Sequence, residues 1–164
     1  MIPAPLPPDD EQRLQALREL LILDTPPEER FDRLTTFAAE EFDMAITTVT
    51  LIDADRQWFK SRVGLDPCET SRDVAFCAHT IHLPDVMVVE DALQDERFFD
   101  NPLVTDYPHI RFYAGAPLVL SSGAVLGSFC LIDTKPRTLD AMDLSILRSL
   151  RDLAVAELEQ RPLP

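Results

Sequence analysis

The amino-acid sequence predicts an α+β domain in which helices at both ends bracket mostly antiparallel strands. Three observations carry that expectation. Apolar residues recur at helical spacing near each end, as Leu14, Leu17 and Leu21 and again as Leu144, Leu147, Ala154 and Leu158. Between them, β-branched runs are joined by short polar turns. The chain has 164 residues, 46% of them hydrophobic, which suits one core and one domain.

Of the 14 prolines, four fall in the first eight residues. Residues 1–9 therefore read as a stiff, unpaired leader, and Arg161-Pro-Leu-Pro164 as a tail or linker stub, because proline continues neither a helix nor a ladder. The domain proper is expected over residues 10–160. Asp9 or Asp10 caps a first helix running to about Leu23. Thr25-Pro-Pro-Glu28 predicts the start of a second, with Thr25 as N-cap, Pro26 at the first helical position and Glu28 closing a capping box. Phe31, Leu34, Ala38 and Phe42 then fall on one face.

From Ile46 the period changes. Ile46–Ile52, the turn Asp53-Ala-Asp55 and Arg56–Val63 read as a β-hairpin ending at Gly64. Val74–His82 is expected as a short helix, Val86–Val89 as a strand, and Asp91–Pro108 as a long loop with helical turns. The strongest β signal is Phe112–Leu120, the turn Ser121-Ser-Gly123, and Val125–Ile132. In the last strand Leu126, Ser128, Cys130 and Ile132 share one face, and Val125, Gly127, Phe129 and Leu131 the other. Both faces are apolar, as in a sheet covered on both sides. Gly115 and Gly127 mark a bulge or a close approach by backbone or ligand, and Pro117 marks a bulge or an unpaired position. Thr138 or Asp140 caps the last helix.

Fifteen Lys and Arg stand against 29 Asp and Glu, a formal net charge of −14. That field repels phosphate backbones and anionic headgroups, so neither nucleic acid nor a membrane surface is an expected partner. No apolar run spans a bilayer, no basic segment leads the chain, and three cysteines do not make a disulfide framework. The expectation is a cytoplasmic protein.

Several segments are distinctive as they stand: Leu23-Asp-Thr-Pro-Pro-Glu28, Leu51-Ile-Asp-Ala-Asp-Arg-Gln-Trp-Phe-Lys-Ser61, Phe76-Cys-Ala-His79, Asp100-Asn-Pro-Leu-Val104, Ile110-Arg-Phe-Tyr-Ala-Gly-Ala-Pro-Leu118 and Leu126-Gly-Ser-Phe-Cys-Leu-Ile-Asp133. In this order they resemble the GAF domain, of the subfamily found N-terminal to bacterial sensor histidine kinases and diguanylate cyclases. The resemblance implies a central antiparallel sheet of five to six strands. Terminal helices would cover one face, and a loop-and-helix roof would close a small-molecule pocket on the other.

The resemblance also implies a pocket lined by an aromatic and polar set: Trp58, Phe76, Cys77, His79, Phe98, Phe99, Tyr107, Arg111, Phe112, Tyr113 and Cys130. His79 and Arg111 would be its polar anchors; a surface salt bridge is the other fate open to Arg111. Cys77, His79 and His82 lack the spacing of a zinc site, and no catalytic residue or metal ligand is assigned. Cys68 and Cys77 loosely resemble two cysteines of the free methionine-R-sulfoxide reductases, but the third expected thiol has no counterpart between Ala78 and Cys130. Between Asp66 and Asp106 ten acids face Arg72 and Arg97, a concentration at the expected lid that disfavours a strongly anionic ligand. No cofactor is identified. The reading is a non-enzymatic sensory domain. It would bind an unidentified small molecule, form a homodimer through its terminal helices, and relay to an output domain in cis or in trans. A ligand-free docking module and a reductase are the alternatives.

Overall fold

The computed structural model describes residues 1–160; the expected tail 161–164 lies outside them. Six strands form one antiparallel sheet in the order β3-β2-β1-β6-β5-β4. At its centre β1 (Ile46–Ile52), buried along its whole length, pairs with β2 (Arg56–Val63) on one side and β6 (Val125–Asp133) on the other. The hairpin partner of β6 is β5 (Phe112–Val119). The edges, β3 (Glu69–Ser71) and β4 (Met87–Val89), are three residues each, too short to template pairing with another chain.

Alternation along the strands divides the core in two. On one face Val49, Leu51, Phe112, Ala114, Ala116, Phe129 and Leu131 pack against α2 (Glu29–Phe42) and α5 (Ala141–Glu159), which supply Phe31, Leu34, Phe42, Leu147, Leu150, Ala154 and Leu158. The other face, carrying Ile46, Ile52, Tyr113, Cys130 and Ile132, is roofed by α3 (Cys77–Thr80), α4 (Pro102–Thr105) and the segments around them. α1 (Asp10–Glu19) buries Leu14 and Leu17.

The expected alternation of β6 holds from Ser128 onward and breaks before it. Pro117 pairs with Ser128 but Val119 pairs with Val125, so β6 carries one extra residue and Leu126 joins the helix-side core. A Cβ on Gly127 would strike the Thr50 carbonyl, so the close approach of β1 at this position requires glycine. Gly115 instead leaves room for the Tyr113 hydroxyl lying over it.

Three local expectations are corrected. α1 ends at Glu19 and not near Leu23; Leu21 and Asp24 both take positive φ. α2 begins at Glu29 with no side-chain cap, so Thr25 and Glu28 make no capping box. Lys60 of β2 claims them instead: its Nζ donates to Thr25 Oγ1 (2.8 Å) and the Pro26 carbonyl (2.7 Å) and pairs with Glu28 (2.6 Å). A capping box does start α5, between Asp140 and Asp143. Finally, the leader is not unpaired. Ile2 N–H donates to the Arg97 carbonyl, the N-terminal ammonium pairs with Asp100, and imidazoles of the roof meet the Ile2 and Pro5 carbonyls.

Candidate functional site

A cavity of about 110 Å³ lies between the sheet and its roof. The sheet contributes Ile46, Thr48 and Thr50 from β1, Gln57 and Phe59 from β2, Tyr113 from β5 and Ile132 from β6. Phe76 and Cys77 come from the roof, and Leu65, Pro67, Thr70, Leu103, Tyr107, Pro108 and Ile110 complete the lining. The Tyr107 hydroxyl accepts a hydrogen bond from the Asp66 N–H (3.2 Å), joining the loop after α4 to the loop after β2. No charged side chain lines this space. Its character is an apolar box with a few hydroxyl, amide and thiol groups to orient an occupant.

Behind Cys77 runs a fully buried polar chain. The Cys77 and Cys130 sulfurs are 3.1 Å apart. Tyr113 donates to Cys77 Sγ (3.2 Å), Ser128 Oγ is 2.9 Å from Cys130 Sγ, and Thr80 Oγ1 is 2.8 Å from the Tyr113 hydroxyl. Burial pushes the Cys77 thiol well above its ordinary value, and the neighbouring Cys130 adds to the shift. Burial also acts to raise Cys130, but hydrogen bonds from Cys77, Ser128, Tyr113 and Thr48 overcome it and bring that thiol down to about 7. Tyr113 is raised, by burial first and then by the two sulfurs.

Of the residues expected to line the pocket, the cavity collects Phe76, Cys77, Tyr107 and Tyr113. Cys130 lies one layer deeper, touching Cys77, and Phe98 stacks on the far side of Phe76 with ring centroids 3.9 Å apart. Trp58 and Phe112 are corrections: both belong to the helix-side core, because their chain neighbours Phe59 and Tyr113 take the cavity face. His79 is another, since its ring meets the edge of Phe98 and its Nε2 lies 2.9 Å from the Ile2 carbonyl. Arg111 donates to the Val104 and Ile110 carbonyls, tying the loop in place as neither anchor nor surface ion pair. Phe99 is half-exposed on the outside. Of the lining residues missed, Ile46, Thr48, Thr50, Gln57, Phe59 and Ile132 are ones that strand parity marks once one neighbour is assigned; Thr70 of β3 and the loop residues Leu65, Pro67, Leu103, Pro108 and Ile110 carry no such mark.

The acidic segment frames the roof without entering it. Asp85 pairs with Arg148 of α5 (2.8 Å), Asp95 with Arg97 (2.8 Å), and Glu69 with Arg56 (2.9 Å). Among the described residues no group of His, Cys, Asp and Glu has the arrangement of a metal site, and no helix is long and apolar enough to cross a membrane.

A family model described as GAF domain matches residues 26–158. The chain belongs to the GAF domain family. The GAF domain is also 38% identical, over 159 residues, to a protein of Pseudomonas aeruginosa named as a cyclic di-GMP phosphodiesterase. That alignment takes in 96% of this chain but 27% of the relative, so the likeness covers about a quarter of the longer protein. Among solved structures, the GAF domain of a phosphoenolpyruvate-protein phosphotransferase from Coxiella burnetii superposes with a TM-score of 0.66 at 12% identity, covering 91% of this chain and 94% of that one. A type II free methionine-R-sulfoxide reductase from Thermoplasma acidophilum gives 0.65 at 13% identity, covering 80% and 91%. At such identities the shared property is the fold. The six-stranded sheet with helices on one face and a roof on the other is the GAF architecture, and the chain is a GAF domain of signalling proteins.

Proposed function

We propose that this GAF domain is a non-catalytic sensor. A small uncharged molecule, apolar with one or two hydrogen-bonding groups, would occupy the cavity and alter how the terminal helices are held. The observation that carries the reading is how the roof is attached. The segment from Arg72 to Asp85 covers the cavity, and each end is ion-paired to a different terminal helix. Arg72 binds Asp10 of α1 (3.0 Å), and Asp85 binds Arg148 of α5 (2.8 Å). An occupant that lifts or closes the roof therefore loads both helices together. It shifts the balance only by as much as it prefers one roof position to the other.

The lining favours a neutral ligand, and at about 110 Å³ the cavity is smaller than pockets that take drug-sized molecules. Output would come from a domain in cis, as the longer Pseudomonas relative suggests, or from a partner in trans. Native mass spectrometry of the purified protein tests the reading. The expected spectrum shows a fraction of the folded protein carrying a small molecule that denaturing conditions release. A spectrum of bare protein only, with no metabolite raising its melting temperature, favours docking without a ligand.

The same reading includes a homodimer through the terminal helices. The inner stripe of α5 is consumed by the core, but Leu153 and Met142 on its outer surface are 53% and 67% exposed. Light scattering on a sizing column at high micromolar concentration should return twice the chain mass; a monomer there removes the dimer.

A further inference from the structure

We propose that Cys77 and Cys130 are a dithiol that a small neutral peroxide, entering the cavity, oxidises to an internal disulfide that fastens the roof to the sheet. The two thiols come from different layers, Cys77 from the single turn of α3 and Cys130 from the middle of β6. Their sulfurs are 3.1 Å apart and unbonded. A disulfide needs them only about 1 Å closer. A single helical turn over a cavity can move that far; the centre of a six-stranded sheet is the fixed partner.

Two further observations set this pair apart from ordinary buried cysteines, which behave as small hydrophobes. First, the sulfurs sit in a polar chain, with Ser128, Tyr113 and Thr50 all within hydrogen-bonding reach. Hydroxyl donors around a sulfur stabilise its thiolate, the form that attacks. Second, Cys77 lines the cavity while Cys130 lies behind it, so an entering oxidant meets Cys77 first. The uncharged lining admits hydrogen peroxide and disfavours an anionic thiol oxidant such as glutathione disulfide.

The chemistry balances with peroxide as the sole oxidant. As Cys77 Sγ attacks one peroxide oxygen, the forming S–O bond acidifies its proton, which passes to the Cys130 thiolate 3.1 Å away. An S–O bond forms, the O–O bond breaks, and the departing hydroxide leaves as water with the proton held by Cys130. The Cys130 thiolate then attacks Cys77 Sγ. The S–S bond forms, the S–O bond breaks, and hydroxide departs and is protonated by solvent. Two thiols are oxidised and one peroxide is reduced to two waters.

The test treats the intact protein with hydrogen peroxide, then denatures it, blocks free thiols and maps the peptides. The expected product is a Cys77–Cys130 linked peptide, two hydrogens lighter than the reduced pair, that dithiothreitol reverses. It should form equally in Cys68→Ser, because Cys68 is exposed and separate, and amides of Ala78–Ile81 should exchange more slowly in the oxidised form. Glutathione disulfide should give little of it. Recovery of Cys77 and Cys130 as free thiols after peroxide has consumed Cys68 overturns the proposal, as does any disulfide that includes Cys68. The readout is covalent, so its failure leaves the small-molecule reading standing, and a bare native mass spectrum leaves the dithiol standing.

Discussion

Lys60 shows how one side chain redirects the sequence around it. Its side chain has no solvent exposure, and its ammonium is held by Glu28, Thr25 and the Pro26 carbonyl. A buried ammonium needs that many acceptors, so the loop before α2 wraps around it and does not cap the helix. Replacing Lys60 with Met leaves Thr25 and the Pro26 carbonyl without this donor and leaves Glu28 to Arg30 alone, whose Nε donates to it at 3.1 Å. We expect a loss of about 2 kcal/mol in urea unfolding with the slope unchanged, where a loss within experimental error would show the ion pair to be idle. Lys60→Arg should not rescue it, since a planar fork does not fit a site cut for a compact ammonium. The same scale explains which pocket residues were legible. Aromatic identity found Phe76, Tyr107 and Tyr113, but it also selected Trp58 and Phe112, whose adjacent residues Phe59 and Tyr113 necessarily point the other way. Thr48, Thr50 and Gln57 were passed over because small polar residues in a strand look unremarkable until a cavity faces them.

At the scale of elements, the strands were the most legible part. β1, β2, β5 and β6 lie where alternation and β-branching place them, and the extra residue at Leu126–Gly127 falls where Gly127 and Pro117 mark an irregularity; the short edge strand β3 and the register shift of β2 against Val49–Thr50 are what no local pattern announces. The leader was misread for a physical reason: prolines preclude a ladder but still leave carbonyls free, and His79 and His82 of the roof use two of them. His79 is lowered from its ordinary 6.5, chiefly by burial, with Arg97 and His82 adding repulsion and the Ile2 carbonyl and Asp95 opposing. The fold therefore prefers the neutral ring, and its contribution is present above pH 6.5 and lost as pH falls through the lowered value. The paired carboxylates work in the same direction at lower pH. Glu28 is lowered first by its hydrogen bond from Lys60, Asp85 by Arg148 and Asp95 by Arg97, so their contributions are lost as pH falls through those lowered values. Melting temperature should thus decline in two stages on acidification, the first of them flattened by His79→Gln, which keeps a donor without the charge. A rise in stability from pH 7 to pH 5.5 would contradict this.

At the scale of the whole molecule, a single sheet separates two different interiors. One is a conventional apolar core built with α2 and α5; the other holds a cavity, a polar chain and two thiols under a thin roof. The sequence announced the family and both covered faces, but not that the acidic lid stays outside the cavity, because net charge carries no direction. The roof is tied at its two ends to α1 and α5, and the account turns on whether filling the space beneath it matters. The most direct measurement is a thermal titration with small neutral aromatics such as phenol and indole, set against cyclic di-GMP as a large anion. At a hundredfold excess over its dissociation constant, a fitting probe contributes about 2.7 kcal/mol, which for a domain of this size is a rise of roughly 5–10 °C. We expect that rise from a neutral probe and none from cyclic di-GMP; a rise from cyclic di-GMP alone, or a flat response to every neutral probe, would contradict the account.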